Sequence, residues 1–342
     1  MSPDGIAVAI LNWNGTSFLE QFLPSVFAFS QGASIYVIDN GSDDQPEKLL
    51  AERFPEIRWL HLGKNYGFCG GYNRAIPQLK EEYVVLLNSD VEVSQGWLEP
   101  LAHALNQDPL LAAVQPNILS HHQPQLFEYA GAAGGYIDHM GYPFCRGRMF
   151  DTLEQHVGQY DSAEPFPVFW ASGACMMIRR KAFLEAGGFD EEFFAHMEEI
   201  DLCWRLQHQG LKLAVVTQSK VYHVGGGTLP VDSPHKRFLN YRNNLLMLYK
   251  NLPEHKVWPV LLTRLLLDGI AGALDLLKGK PELTWAIIRS HVAFYKLKSK
   301  YEPLARDKFY PATLYPGSVV WAYFVKKKKY FSALDWSPVP NS

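Results

Sequence analysis

Short apolar runs alternate with amphipathic segments along the first third of the chain. The runs predict buried strands, and the segments between them, with apolar positions at helical spacing, predict helices. Strands are predicted at Ile6–Asn12, Ser34–Asp39, Ile57–Leu62, Tyr83–Asn88 and Leu111–Val114. Helices are predicted at Thr16–Phe29, Glu47–Phe54, Gly70–Leu79 and Trp97–Asn106. Strands that alternate with helices indicate an α/β fold with a mainly parallel sheet and right-handed crossovers.

The pattern weakens between Gln123 and Phe166, where glycines among aromatic residues predict hairpins or a flexible flap. It then returns as an apolar strand, two helices and two further strands. These elements are predicted at Val168–Ile178, Arg180–Ala186, Glu199–Gln209, Leu213–Val216 and Lys220–His223, before the glycines Gly225–Gly227. Beyond them the chain is predicted to be helical to about Lys300. We therefore expect a catalytic domain at residues 1–235 and a helical region at 236–342.

Charge divides the chain at the same place. Residues 1–235 carry 14 Lys and Arg against 28 Asp and Glu, whereas residues 236–342 carry 18 against 7. An acidic body joined to a basic region indicates that the two parts have different partners. With 342 residues and 47% hydrophobic positions, the chain can bury a sizeable core.

The sequence contains few features that indicate the cellular compartment of the protein. The four cysteines lack disulfide or metal-type spacing and are expected to be buried thiols in a reducing compartment. The N-terminus shows no signal peptide. No uncharged apolar run reaches the ~18 residues of a membrane span. The nearest candidate, Val257–Leu277, is interrupted by Arg264, Asp268 and Asp275.

Polar residues follow three of the predicted strands, which indicates a polar cleft at one sheet edge because ligands bind beyond the carboxyl ends of parallel strands. They are Asn12 and Asn14, then Asp39, then Asn88 and Asp90. Asp39 could accept a hydrogen bond from a nucleobase or ribose. The alternative is an Asx turn at Asp39–Ser42.

A glycine-rich loop, Asn65–Arg74, opens the third predicted helix. Glycines allow a backbone to approach a ligand, and a helix N-terminus favours phosphate. The loop matches neither a dinucleotide fingerprint nor a P-loop. Tight packing is the alternative.

Asp90 and His223 both end strands, and a carboxylate there suits a divalent cation that bridges a diphosphate. A lone His is more often structural, but its position before three glycines favours a functional role. We expect Asp90 and His223 to approach one another.

The segment His196–Arg205 opens a helix with the acids Glu198, Glu199 and Asp201 beside several apolar side chains. Desolvation there would raise a carboxylate pKa toward the range useful for a general base. The alternative is that these acids complement the helix dipole. Residues 199 and 201 lie about 200° apart on a helix, so we expect only Glu199 to face the cleft, with Glu198 as its rival.

Six segments in this order resemble family 2 glycosyltransferases with the GT-A fold, most closely the rhamnosyltransferase-like branch that builds bacterial cell-surface polysaccharide. They are Ile10–Gly15, Val37–Ser42, Asn65–Arg74, Leu87–Asp90, Ser172–Met176 and His196–Arg205. The resemblance implies inverting transfer from a nucleotide-diphosphate sugar to a hydroxyl of a saccharide, which is expected to be lipid-linked. The motif Gln-x-x-Arg-Trp of processive synthases is absent, so we expect one sugar per encounter.

The resemblance also implies roles for residues. Asp90 takes the last position of the family's Asp-x-Asp metal motif, where Mg²⁺ or Mn²⁺ is expected, with Asn88 at the first position and His223 as a further ligand. Glu199 matches the catalytic base, with Glu in place of Asp. The expected substrate-binding residues are Asn12, Asn14, Asp39, Asn65, Gly71, Arg74, Asn88, Trp170 and Gly173. Trp170 could stack on a sugar face; a core tryptophan is the alternative.

The C-terminal region joins apolar helices to a run of lysines. Val319–Val325 leads directly into Lys326–Lys329. Aromatic residues beside lysines suit an anionic membrane surface, and a helical oligomerisation face is the alternative. We expect a cytoplasmic enzyme that is peripheral on the inner face of the membrane, with no nucleic-acid partner.

Two rival functions remain. A sugar-phosphate nucleotidyltransferase usually carries a glycine-rich loop with basic residues after its first strand, whereas here that loop is Asn12–Thr16 and contains none. A sugar-nucleotide-binding protein without activity would not need Asp90, Glu199 and His223.

Overall fold

The computed structural model describes residues 5–225, 233–301 and 311–338. Its first half alternates strands with helices, as predicted. The elements are β1 (Ile6–Asn12), α1 (Thr16–Phe29), β2 (Ser34–Asp39), α2 (Pro46–Arg53), β3 (Arg58–His61), α3 (Gly67–Ala75), β4 (Tyr83–Asn88), β5 (Val91–Val93), α4 (Leu98–Gln107) and β6 (Leu111–Ser120). The predicted bounds of β1, α1, β2 and β4 agree with the structure, because each ends at a clear change from apolar to polar residues.

The second half contains shorter strands and longer helices. They are β7 (Gly135–Ile137), β8 (Pro143–Cys145), β9 (Arg148–Met149), β10 (Thr152–Leu153), β11 (Phe166–Pro167), β12 (Cys175–Arg179), α5 (Arg180–Glu185), α6 (Glu198–His208), β13 (Lys212–His223), α7 (Pro234–Asn251), α8 (Glu254–Leu277) and α9 (Pro281–Leu297).

The main sheet runs in the order β11-β13-β6-β12-β4-β1-β2-β3, and β5 pairs with β13. The strands β4, β1, β2 and β3 are parallel to one another, and β6 is parallel to β13. The strand β12 runs antiparallel between β4 and β6. One hydrophobic core covers each face of the sheet. Strands buried on both faces are continuous apolar runs, which is why the sequence predicted them.

Two strand predictions differ from the structure, whereas hairpins, one of the two alternatives predicted for Gln123–Phe166, are present. Val168–Ile178 is not one strand: the chain turns at Ser172, whose carbonyl accepts from the amide of Cys175 at 3.2 Å, and only Cys175–Arg179 is extended. The two strands predicted at Leu213–Val216 and Lys220–His223 form one strand, β13, with an irregularity between Val216 and Lys220. The stretch Gln123–Phe166 contains a small antiparallel sheet, in the order β10-β9-β8-β7, that packs into the core.

Residues 233–301 are mainly helical, as predicted, and pack on the rest of the described chain through α7, which contacts α6. The run Trp321–Val325 forms a π-helix whose Tyr323 packs against Phe150, with ring centroids 4.8 Å apart. Within the described ranges, none of the helices has both the length and the apolar character that a membrane crossing requires. The glycines Gly226 and Gly227 lie outside the described residues.

Candidate active site

Three polar residues end neighbouring strands at one edge of the sheet. The parallel register sets Asn12 beside Asp39 and Leu11 beside Asn88. Asn12 is fully buried; its Nδ2 donates to Oγ of Ser42 at 3.2 Å, while its Oδ1 has no hydrogen-bond partner among the described residues. Buried polar atoms are nearly always satisfied, so an unpaired one at a cleft edge indicates a place for a ligand.

Asp39 is buried and both of its carboxylate oxygens are engaged. Oδ1 accepts from the amide of Ser42 at 3.0 Å, which is the Asx turn considered as the alternative, and Oδ2 lies 2.7 Å from Nδ1 of His61. Asn14 has a φ of +50°; its amide donates to Oγ of Ser42 at 3.0 Å, and its Oδ1 accepts from the amide of Asp43 at 2.8 Å. Asn14 therefore joins two loops in this structure.

The glycine-rich loop lies against the end of β2. Oδ1 of Asn65 accepts from the amide of Gly67 at 2.7 Å and from Nδ2 of Asn40 at 3.1 Å. A Cβ on Gly71 would lie 2.6 Å from Leu11, so this glycine is required for close packing of α3 on β1. The side chain of Arg74 forms an ion pair with Glu191 at 2.8 Å. Nucleotide contact by Asn65, Gly71 and Arg74 stays a prediction.

Asp90 and His223 come together, as expected. The antiparallel register of β13 on β5 pairs His223 with Val91, which places it next to Asp90. Nε2 of His223 lies 3.2 Å from Oδ1 of Asp90, and its Nδ1 lies 3.2 Å from Oε2 of Glu128. All three side chains are buried. Burial opposes ionisation of the imidazole, but the two carboxylates raise the pKa of His223 to about 10.

Once Nε2 of His223 gives up its proton, Asp90 and His223 provide two adjacent metal donors. In the described ranges, no group of three or more His, Cys, Asp and Glu side chains is placed to hold a metal ion. Asp90 lies next to Nε2, on one side of the imidazole ring of His223, and Glu128 lies next to Nδ1, on the other side. A carboxylate on the far nitrogen orients metal-binding histidines in many proteins. A divalent ion that keeps water and diphosphate oxygens needs only a few protein ligands, so the donor set is suitable for Mg²⁺ or Mn²⁺.

The acids at the start of α6 have different environments. Asp201 is fully buried and forms ion pairs with Arg205 at 2.9 Å and Lys250 at 3.0 Å. Burial favours a raised pKa for Asp201, but these two cations hold the pKa below its usual value. Oε2 of Glu198 and Oε2 of Glu199 are instead buried without a partner among the described residues. Asp201 is therefore structural, and Glu198 and Glu199 are the free carboxyls.

Burial raises the pKa of Glu199 to about 7. Burial, followed by repulsion from Glu199, raises the pKa of Glu198 well above its usual value. Gly173 faces Glu199, since a Cβ built on Gly173 would lie 3.9 Å from the Cβ of Glu199. A carboxyl that titrates near neutral pH can accept a proton from a bound hydroxyl.

The start of α6 is held in an unusual backbone conformation. Phe194, His196 and Met197 all have positive φ, between +63° and +71°. The side chain of Asn243 on α7 holds this segment, because its Nδ2 lies within 2.9 Å of the carbonyl oxygens of Phe193, Ala195 and His196. Left-handed residues of this kind persist only where the surroundings impose them, and they cluster at functional sites.

Replacement of Glu198 by Gln is expected to stabilise the protein at alkaline pH. A raised pKa in the folded state means that the fold is favoured below the unfolded value near 4.5 and loses stability as pH rises through the folded value. Removal of one carboxyl should therefore increase the free energy of unfolding at pH 8 and leave it unchanged near pH 4.5. Urea unfolding at both pH values, without metal or donor, measures the difference. Equal stability of the two proteins at pH 8 would contradict it.

Trp170 is a core residue. It is 4% exposed, its Nε1 donates to the carbonyl of Tyr136 at 3.0 Å, and its ring covers Gly135. The alternative considered for Trp170 is therefore correct, and its ring is not free to stack on a sugar. Gly173, in contrast, borders Phe68 and Glu199 at the cleft.

Sequence reasoning missed three residues of this region. Glu128 lies next to His223, His61 lies next to Asp39, and Asn243 holds the turn before α6. Glu128 lies in a stretch without periodicity, and Asn243 lies in a helix outside the recognised motifs. No local pattern marks such residues. The position of His61 at the end of β3 is the one signal that could have found it.

Comparisons with known proteins agree with these observations. The family model described as glycosyl transferase family 2 matches residues 7–186. The N-acetylglucosaminyl-diphospho-decaprenol L-rhamnosyltransferase of Mycobacterium tuberculosis is 31% identical over 241 residues, which cover 64% of this chain and 76% of the relative.

Two solved structures share the fold. S. aureus TarS 1–349 in complex with UDP-GlcNAc has a TM-score of 0.56 at 14% identity, over 85% of this chain and 80% of TarS 1–349. GalNAc-T7 with UDP, GalNAc and Mn²⁺ has a TM-score of 0.56 at 18% identity, over 71% of this chain and 47% of that one. These likenesses confirm the predicted GT-A architecture.

Proposed function

Because this chain belongs to glycosyl transferase family 2 and is a glycosyltransferase, we propose that it transfers one sugar, with inversion, from a nucleotide-diphosphate sugar to a hydroxyl of a lipid-linked saccharide. The donor sugar is proposed to be rhamnose, since the 31% identical relative is named a rhamnosyltransferase. The observation that carries the proposal is the pair of adjacent carboxyls, Glu198 and Glu199, in each of which Oε2 is buried without a partner among the described residues. Residues 1–235 would provide the catalytic site, and residues 236–342 the contacts with the acceptor side.

Glu199 is proposed as the base. A sugar hydroxyl is a weak nucleophile and needs a proton acceptor in contact with it. With a pKa of about 7, Glu199 is deprotonated in a large share of molecules at neutral pH and can still take up a proton. Attack from the side opposite the leaving diphosphate inverts the anomeric carbon. Glu198, whose pKa is raised well above its usual value by burial and by repulsion from Glu199, is proposed to stay protonated and to donate a hydrogen bond.

The strand ends are proposed to bind the nucleotide. Asn12, with its unpaired Oδ1, and Asp39, with its neighbour His61, would contact the base and ribose. Asn88 and the loop at Asn65–Arg74 would border the diphosphate. A divalent ion held by Asp90 and His223 would offset the charge that develops on the leaving diphosphate. Glu128 would hold the ring of His223 in place through Nδ1.

The acceptor is proposed to be a polyprenyl-diphosphate saccharide. The M. tuberculosis relative is named for N-acetylglucosaminyl-diphospho-decaprenol, which is a lipid-linked sugar of this kind. An enzyme that uses such an acceptor must work at a membrane surface. We therefore propose a peripheral position on the cytoplasmic face of the membrane, where nucleotide sugars are available.

A panel of nucleotide sugars tests the proposal. Binding at 100 times the dissociation constant adds about 2.7 kcal/mol of stability, which a thermal-shift measurement detects, with and without Mn²⁺ or Mg²⁺. The stabilising donor is then incubated with N-acetylglucosaminyl-diphospho-polyprenol. We expect a glycosylated lipid and free nucleoside diphosphate. Formation of nucleoside triphosphate and sugar 1-phosphate when inorganic diphosphate is added to the donor would instead favour a nucleotidyltransferase. Donor binding without turnover would favour a protein that only binds nucleotide sugars.

A further inference from the structure

The helix α8 has its apolar side outward and its ionisable side inward. An ordinary surface helix has the opposite arrangement. Between Val257 and Leu277 the charged residues are Arg264, Asp268 and Asp275, and all three are buried. The large exposed residues of the same stretch are all apolar. They are Trp258, Leu262, Leu265, Leu266, Ile270, Leu274, Leu276 and Leu277.

Buried ion pairs fix this orientation. Asp268 accepts from Nε of Arg264 at 3.3 Å and lies 3.1 Å from Nε2 of His291 on α9. Nη1 of Arg264 also donates to the carbonyl of Met140 at 3.0 Å. Rotation of α8 about its axis would break these contacts and leave charges unpaired in the core, which is strongly unfavourable. The apolar side of α8 therefore cannot turn inward.

The helix α9 extends the exposed apolar surface. It runs antiparallel to α8, and Oγ1 of Thr284 donates to the carbonyl of Gly272 at 2.7 Å across the pair. Its large exposed apolar residues are Trp285, Ile288, Val292 and Tyr295. Twelve side chains at about half exposure present on the order of 1,000 Å² of apolar surface, whereas monomers rarely expose more than a few hundred in one patch.

Cations and aromatic rings border both ends of this surface. Lys278 and Lys280 occupy the turn between the helices, near Trp285. At the other end Nζ of Lys298 lies 5.1 Å from the ring centre of Trp258, near Lys256 and Tyr295. The described acids at exposed positions of the two helices are Glu254 and Glu282, so the border is net positive.

We propose that the outer face of α8 and α9 docks on an anionic membrane, with the apolar residues among the acyl chains and the bordering lysines at the headgroups. Amphipathic helices that lie in an interface combine these features. A second copy of the chain is a poorer occupant, because two such faces in contact would bring two positive borders together. The proposal rests on the proposed function, in which the acceptor is a lipid.

The docked face is connected to the active site. Nη1 of Arg237, in the first turn of α7, lies 3.4 Å from Oδ2 of Asp275 near the end of α8. The adjacent Lys236 acts electrostatically on Glu128 and His196, which border the proposed metal site and base. The helix α7 therefore contacts both α8 and the turn before α6.

Sedimentation with vesicles tests the proposal. The full chain is mixed with phosphatidylcholine vesicles that contain or lack phosphatidylglycerol and contain no saccharide lipid. The double variant Leu266→Glu/Leu274→Glu places two carboxylates on the proposed face, and we expect its binding to anionic vesicles to fall about tenfold or more. Val157→Glu is the matched control, because Val157 is 75% exposed on the small β-sheet side of the molecule. We expect that variant to bind like the unaltered protein.

Each of the other outcomes also supports or overturns the proposal. Equal vesicle binding by the double variant overturns the proposal, and so does loss of binding only in the Lys326–Lys329→Gln variant, which would identify the tail as the anchor. Dimers that dissociate in the double variant, measured without lipid, would identify a second copy as the occupant. The variant Leu277→Glu, at an 83% exposed position, replaces the double variant should that fail to fold. Normal vesicle binding without transfer to a lipid-linked acceptor would count against the proposed function alone.

Discussion

Replacement of Glu199 by Gln is expected to lower sugar transfer by ~10²–10⁴ while donor binding persists. Gln keeps the size and hydrogen-bonding capacity of Glu but cannot accept a proton. Oε2 of Glu199 is buried without a partner among the described residues, and the pKa of the carboxyl is about 7. Because the base acts when deprotonated, kcat/KM of the unaltered enzyme should fall as pH drops below about 7. That decline should be absent from the residual activity of the variant.

Two further variants make this result specific. Glu185→Gln changes an exposed acid on α5 and should leave transfer unchanged. Glu198→Gln is the informative comparison, since it removes the rival carboxyl. A large loss in Glu198→Gln combined with normal transfer in Glu199→Gln would show that Glu198 is the base. Normal transfer in both variants would place the base elsewhere and refute this account of the site.

Replacement of Asp90 by Ala is expected to abolish metal-stimulated transfer without unfolding the protein. The variant loses one of two adjacent donors, and His223 retains Glu128 as its partner. Glu128→Gln should raise the Mn²⁺ or Mg²⁺ concentration needed for half-maximal activity by ~10–100-fold, because Glu128 orients the ring rather than contacting the ion. Transfer assays over a metal titration, with circular dichroism for folding, measure both effects.

Glu92 provides the control for this prediction. It lies two residues from Asp90, is partly exposed and pairs with His121 at 3.1 Å. Glu92→Gln should titrate with metal as the unaltered protein does. Full transfer by Asp90→Ala in the presence of EDTA would show that catalysis does not need the proposed ion.

The sequence predicted the sheet and its polar edge because both depend on local patterns. Runs such as Tyr83–Asn88 are apolar until their last residue, so the strand and its functional end are visible together. The proximity of Asp90 and His223 was predictable for the same reason, since each ends a strand. Glu199 and Asp201 were separable because the helical repeat places them on different sides of α6.

Contacts between distant segments were not predictable in this way. Glu128 reaches His223 across 95 positions of sequence, from a loop without periodicity. Trp170 was assigned to a sugar because its sequence neighbours border the cleft, but Gly135, far along the chain, leaves room for its ring in the core. The outward orientation of the apolar side of α8 was not predictable either, because periodicity shows that a helix has two faces but not which of them is buried.

Because Asn243 stabilises the turn before α6, the parts of the active site can form only in a certain order during synthesis. The turn has left-handed residues that a free chain disfavours, and α7, which stabilises it, leaves the ribosome later than every strand of the main sheet. Chains fold from the N-terminus as they emerge. The nucleotide-binding edge can therefore form in a nascent chain before the base is positioned. An unfinished chain that binds a nucleotide sugar would lack the means to break it down.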